Sequence, residues 1–161
     1  MINPQDLVEA FARNASVIKM QTKDLTNEDS LRQPPFRGNC LNWVLGHIAE
    51  NRDHVLELLG EPPLLGAQGA RYKRGSEPLT AADDGVLRLD ELLAWLDRAQ
   101  ERIAAAVSRM DDAAWARGIT VGNNRKTTVG QRVFFLYFHE TYHVGQTELF
   151  RQLAWKDDKV I

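Results

Sequence analysis

Cysteine is nearly missing from this chain. Cys40 stands alone among 161 residues, so no intrachain disulfide can form, and a reducing, cytoplasmic setting is expected. An excess of charge of one sign is missing as well. Twenty Lys and Arg against 22 Asp and Glu leave a net charge of −2. That balance lacks the basic surface that phosphate backbones require and argues against a nucleic-acid partner. The one local basic run is Arg71-Tyr72-Lys73-Arg74. No apolar run approaches the ~20 residues of a membrane helix, and the longest is bounded by Arg132 and Glu140. The segment Met1-Ile2-Asn3-Pro4-Gln5-Asp6 has neither the basic start nor the apolar centre of a signal peptide. Internal repeats, low-complexity segments and convincing strands are missing too. The remaining composition, 43% hydrophobic and 26% charged, is that of one ordinary globular domain over residues 1–161.

What is present is helix. Asn3 is a favourable N-cap, Pro4 sits at the tolerated first position, and Leu7, Phe11, Ala15 and Ile18 recur on one face. Pro34-Pro35 and Gly38 exclude its continuation. A second helix is predicted from about Leu41 to Leu59, with Leu41, Val44, Leu45, Ile48, Val55, Leu58 and Leu59 as its stripe. Asn51 falls inside that stripe, and His47 and His54 share its border. The Gly- and Pro-rich stretch from Gly60 to Gly85 reads as a long irregular connection, a length at which lids and binding loops occur. A third helix is expected from about Leu89 to Met110. Residues Gly118 to Gly130 read as a loop or short hairpin around Gly122-Asn123-Asn124. The last helix starts near Thr127 or Thr128, where Thr128 and Gln131 fit a capping box, and runs to about Trp155. These elements predict an all-α, four-helix bundle with a long irregular loop between helices two and three.

The chemistry concentrates in His139-Glu140-Thr141-Tyr142-His143. Histidines four residues apart project from one helical face and can share one metal ion. The pattern matches that of zinc metalloproteases, but Gln146 and Leu149 stand where the extended form needs Gly and His. Glu148 is on the same helix and cannot turn back onto the site. A zinc protease is therefore excluded. The third ligand has to come from His47 or His54, which are about 10.5 Å apart along their helix and cannot share one ion. Gly46, permitting close helix approach, favours His47. Glu140 is a candidate base or outer acceptor, or else a solvated or interchain salt-bridging carboxylate. Cys40 is expected to be a small buried residue.

Asn42-Trp43-x-x-Gly46-His47-Ile48, followed by Thr128-Val129-Gly130 and His139-Glu140-x-x-His143-x-Gly145-Gln146, resembles the DinB/YfiT-like family of metalloenzymes over essentially the full chain. This family is unrelated to the DNA polymerase that shares its name. The resemblance implies a four-helix bundle, commonly a homodimer, with a divalent metal on His47, His139 and His143. It also implies small-molecule chemistry: thiol-dependent transferases using bacillithiol, mycothiol or glutathione occur in the family. The similar maleylpyruvate isomerase branch carries a further domain for which this chain lacks room. Three neutral imidazoles leave a metal position open, as in catalytic sites. Zinc or nickel would suit them. The expected activity is transfer of a low-molecular-weight thiol to an electrophile, with Arg71, Lys73 or Arg74 of a covering loop pairing a substrate carboxylate. The alternatives are metal-assisted hydrolysis, with Glu140 or Asn51 orienting the water, and a non-catalytic stress-related protein stabilised by its metal. The excess aromatic residues of the last helix point to a homodimer.

Overall fold

The computed structural model describes residues 3–79 and 85–160; positions 80–84 of the long connection lie outside the described residues. Its elements in order are α1 (Pro4–Thr22), the short α2 (Asn27–Ser30), α3 (Leu41–Leu58), a 3-10 segment (Gly66–Tyr72), α4 (Leu89–Val107), the short α5 (Asp112–Ala116), strands β1 (Gly118–Val121) and β2 (Arg125–Thr128), and α6 (Val129–Leu153). The four long helices are those expected from the periodicity, to within a few residues at each end. Their caps explain the starts. The Asn3 side chain accepts from the Gln5 N–H with Pro4 next in line, and Thr128 and Gln131 form the reciprocal capping box that opens α6.

In the bundle, α1 packs on α4 and α6, and α3 packs on α4 and α6. Consecutive long helices α1 and α3 are therefore diagonal, as are α4 and α6, and only the α3–α4 connection joins neighbours. Leu7, Phe11, Ala15 and Ile18 of α1 all face the core, as do Leu92, Leu96 and Ile103 of α4. Leu93, Met110, Leu58 and Leu59, expected inward, are only half-buried. Trp95 and Ala99 fill the α4 face instead.

One connection follows the sequence reading and another adds to it. Residues 118–128 close as the short hairpin that was one of the two expected readings, with Gly118 pairing Thr128 and Val121 pairing Arg125 in antiparallel register. Four-residue strands are too short to leave an alternating signal; Asn123 and Asn124, both at positive φ, supply the turn. The irregular connection also contains the 3-10 segment. The Asp53 carboxylate accepts from the Leu64 and Leu65 N–H groups at 2.8 Å each, pinning its start to α3.

That segment ends at Tyr72, which is fully buried against Gly46. A Cβ at position 46 would overlap the Tyr72 ring. The glycine thus admits an aromatic ring, where the sequence suggested the approach of another helix. The Tyr72 hydroxyl donates to Asn42 Oδ1 at 3.3 Å and accepts from the Leu87 N–H at 2.8 Å. It thereby locks the connection across α3. Cys40 is buried at the N-cap of α3, and burial pushes its thiol pKa up, consistent with a packing residue.

Candidate metal centre

His47 is presented by α3 and His139 and His143 by α6, two helices that pack directly. Their rings meet edge to face, with centroids 5.2 Å (His47–His139), 5.1 Å (His47–His143) and 4.6 Å (His139–His143) apart. One ligand nitrogen from each lies within 4.8 Å of the others. His54 is elsewhere. It is exposed on the outer edge of α3, with its ring nitrogens 2.9 Å from Glu50 and 3.1 Å from Glu57.

Each ring is oriented by its surroundings. His47 Nδ1–H donates to the Tyr72 carbonyl at 2.9 Å, so the long connection sets its tautomer and leaves the Nε2 lone pair facing inward. Trp43 stacks on the same ring at 4.8 Å and donates through its indole N–H to Ser76 Oγ. His143 Nδ1–H donates to Gln146 Oε1 at 2.7 Å, which likewise frees Nε2. The Nε2 atoms of His143 and His139 stand 3.3 Å apart. Among the described residues the buried His139 Nδ1 has no hydrogen-bond partner.

Burial keeps these imidazoles neutral, and repulsion within the cluster adds to it at His139 and His143. His139 is held down to about 4 by burial, followed by the nearby His143, His47 and Arg132. Burial also depresses His47 and His143. Neutral imidazoles with converging lone pairs are poor company for one another and good ligands for a cation. A tetrahedral ion with N–metal bonds of about 2.0–2.1 Å has ligand–ligand edges of about 3.3–3.4 Å. The His139–His143 separation has that length. The donor set therefore fits a divalent metal.

Asn51 joins the cluster. Its amide nitrogen lies 3.2 Å from His47 Nε2 and donates to the His47 carbonyl at 2.8 Å. Glu140 does not. It is buried, and both of its oxygens are held at 2.8 Å by the guanidinium of Arg52, itself fully buried. A carboxylate engaged on both oxygens stands differently from a general base, and the pair is intrachain, where solvent or a second chain was expected. Arg71 is occupied with the carbonyls of Glu77 and Pro78 at 2.6 and 3.0 Å. Lys73 and Arg74 are exposed.

Three contributors went unread in the sequence. Arg52 gave no signal because an arginine in a helical stripe reads as surface. Glu50 is buried, with one oxygen on His54 and the other 3.9 Å from His47 Nδ1; its spacing of three from His47 was the available clue. Tyr72 was grouped with its basic neighbours.

The DinB superfamily profile matches residues 10–147. Against curated protein sequences the chain gives no significant match. A conserved protein from Enterococcus faecalis superimposes with a TM-score of 0.75 at 16% identity, over 96% of this chain and 98% of that one. YfiT from Bacillus subtilis, a probable metal-dependent hydrolase with an unusual four-helix bundle topology, follows at 0.69 and 15% identity, over 96% and 91%. The mycothiol-dependent maleylpyruvate isomerase gives 0.65 at 12% identity, over 89% of this chain and 60% of the isomerase. At these identities the structural likenesses establish a shared fold. With the diagonal bundle and the family profile over most of the chain, the conclusion is direct: the chain belongs to the DinB superfamily.

Proposed function

We propose that this protein is a divalent-metal enzyme that transfers a low-molecular-weight thiol to an electrophilic small molecule, with His47, His139 and His143 as the metal ligands. The observation that carries the reading is the convergence of three neutral imidazoles, two of them fixed through Nδ1, at an edge of the bundle that is half open to solvent. A divalent ion held there supplies Lewis acidity, lowering the pKa of a thiol or a water brought to its open position. Zinc and nickel both suit this donor set.

The chain's own residues do the rest. The Tyr72 carbonyl and Gln146 hold the ligating tautomers, and Asn51 presents its amide where it can orient the entering group. Glu140 acts through Arg52 as a positioning residue for α6. Phe135 and Tyr142, both exposed, flank His139 and His143 as an apolar wall on the solvent side of the cluster. The similarity to a mycothiol-dependent enzyme favours the thiol. The likeness to YfiT favours a second reading, hydrolysis, in which Asn51 orients water. The exposed Phe134, Phe138 and Leu149 of α6 support assembly as a homodimer.

Titration of zinc and nickel into metal-free protein by calorimetry tests the ligands. One ion per chain is expected for the wild type and none for His47→Ala, His139→Ala or His143→Ala. Full retention by His47→Ala would sink the three-histidine site. Loaded protein is then assayed with 1-chloro-2,4-dinitrobenzene and glutathione, bacillithiol or mycothiol in turn. Hydrolysis of 4-nitrophenyl acetate without conjugation of any thiol would select the second reading.

A further inference from the structure

Four residues of α6 lie on one side of the helix at steps of three, four and four: Arg132, Phe135, His139 and His143. The Phe135 ring lies nearly parallel to that of His139, at an interplanar angle of 15° and a centroid distance of 6.4 Å. The guanidinium of Arg132 sits 4.9 Å from the Phe135 centroid, and that of Arg125 sits 5.8 Å from it. Arg125 opens β2, so the hairpin delivers a second cation to the same aromatic ring.

Several other guanidiniums of the chain have acidic partners. Arg102 and Arg109 share Glu61, Arg88 meets Asp90, and Arg32 meets Asp29. Among the described residues neither Arg125 nor Arg132 meets a carboxylate. Arg132 is partly buried, and burial first and Arg125 second pull its pKa below the ordinary arginine value. Two like charges converging on one ring, one of them partly desolvated, are unfavourable until an anion bridges them.

Arg132 also borders a neighbouring cleft of about 390 Å³, lined with His54, Glu57, Arg117 and Thr120 among others. The one carboxylate of its lining, Glu57, is engaged by His54. Seven residues separate Arg132 from His139, about 10.5 Å along the helix.

We infer that Arg132 and Arg125 form the carboxylate-binding end of the metal site: the substrate is an organic acid whose carboxylate bridges these guanidiniums while its reacting end lies at the histidines. Phe135 is the apolar floor between the two ends. This rests on the metal reading above for what happens at the reacting end, but the anion site itself needs no metal. It also moves the substrate-pairing cations from the 71–74 loop to the hairpin and the first turn of α6.

The test uses metal-free protein, so that no carboxylate can ligate an ion, with benzoate as probe and neutral benzamide as its isostere. Titrations are followed by amide chemical shifts. Benzoate is expected to perturb the hairpin and the start of α6 and to bind at least about tenfold more tightly than benzamide. Arg132→Gln should weaken benzoate at least about tenfold; Arg125→Gln should weaken it less, and Arg132→Lys should retain part of the affinity. Zinc binding to the glutamine variants should equal wild type, which shows that they fold and that the histidines are intact. Equal benzoate affinity in wild type and Arg132→Gln, equal affinity for benzamide, or no benzoate binding at all would overturn the inference while leaving the metal site standing. Conversely, loss of the metal reading through retention of zinc by His47→Ala would leave the benzoate result unchanged.

Discussion

Removing the charge of Glu140 should unravel the bundle before it touches any chemistry. Arg52 is fully buried and reaches three other helices: Nε and Nη2 bind Glu140 of α6 at 2.8 Å, Nη2 also binds the Phe11 carbonyl of α1 at 2.9 Å, and Nη1 binds the Leu96 carbonyl and Gln100 of α4 at 3.3 Å. Its guanidinium lies 5.4 Å from the Phe11 ring centroid. All four long helices therefore meet at one cation. Deleting one partner of such a pair leaves an uncompensated buried charge and costs about 3–5 kcal/mol. At about 2–4 °C per kcal/mol for a domain of this size, Glu140→Ala should melt about 6–20 °C below wild type. Glu140→Gln, which keeps one acceptor oxygen and the shape, should fall between them. In Arg52→Met/Glu140→Leu both charges are gone, and much of the loss should be recovered. The assay is thermal and urea unfolding of metal-free protein followed by circular dichroism, with zinc affinity measured below each melting point. Should Glu140→Ala melt within about 2 °C of wild type while turnover collapses, the carboxylate would be a base of the site and the anchoring argument would fail.

Three further outcomes follow from the same geometry. Gly46→Ala places a Cβ inside the Tyr72 ring and should cost about 1–3 kcal/mol in urea unfolding; it should also weaken zinc binding, because the displaced Tyr72 carbonyl no longer holds His47 Nδ1–H. Gln146→Ala removes the acceptor that fixes His143 and should weaken zinc about 10–100-fold in a competition titration, with unfolding little changed. His54 has its pKa raised from 6.5 to about 9, chiefly by the Glu50 hydrogen bond and then by Glu57. A raised folded pKa gives stability that is complete below the unfolded value and lost as pH climbs through the folded one. Wild type should therefore lose stability between pH 6.5 and about 9 in urea titrations, and His54→Gln should flatten that limb.

The helices were legible because their causes are local. Asn3-Pro4, Thr128 with Gln131, and the apolar spacings of α1 and α4 act within one or two turns, and they delivered the bundle and its boundaries. His139 and His143 were legible for the same reason, since a spacing of four is itself a statement about geometry. The choice of His47 over His54 came from Gly46, read as admitting a neighbouring helix, and from resemblance; Gly46 in fact admits Tyr72, while the three imidazoles that meet are His47, His139 and His143. What the sequence could not contain is the outcome of packing. Nothing local marks Arg52 as a fully buried side chain, or Glu140 as its partner 88 positions on. Nor does anything local say that Gly46 faces a tyrosine from the next connection. The four-residue strands carried no period, so the arrival of Arg125 beside Arg132 depended on the hairpin closing. Burial, diagonal topology and the company a charge keeps are set between elements distant in sequence. In this protein they decide which acid anchors the fold and which cations are left open to a ligand.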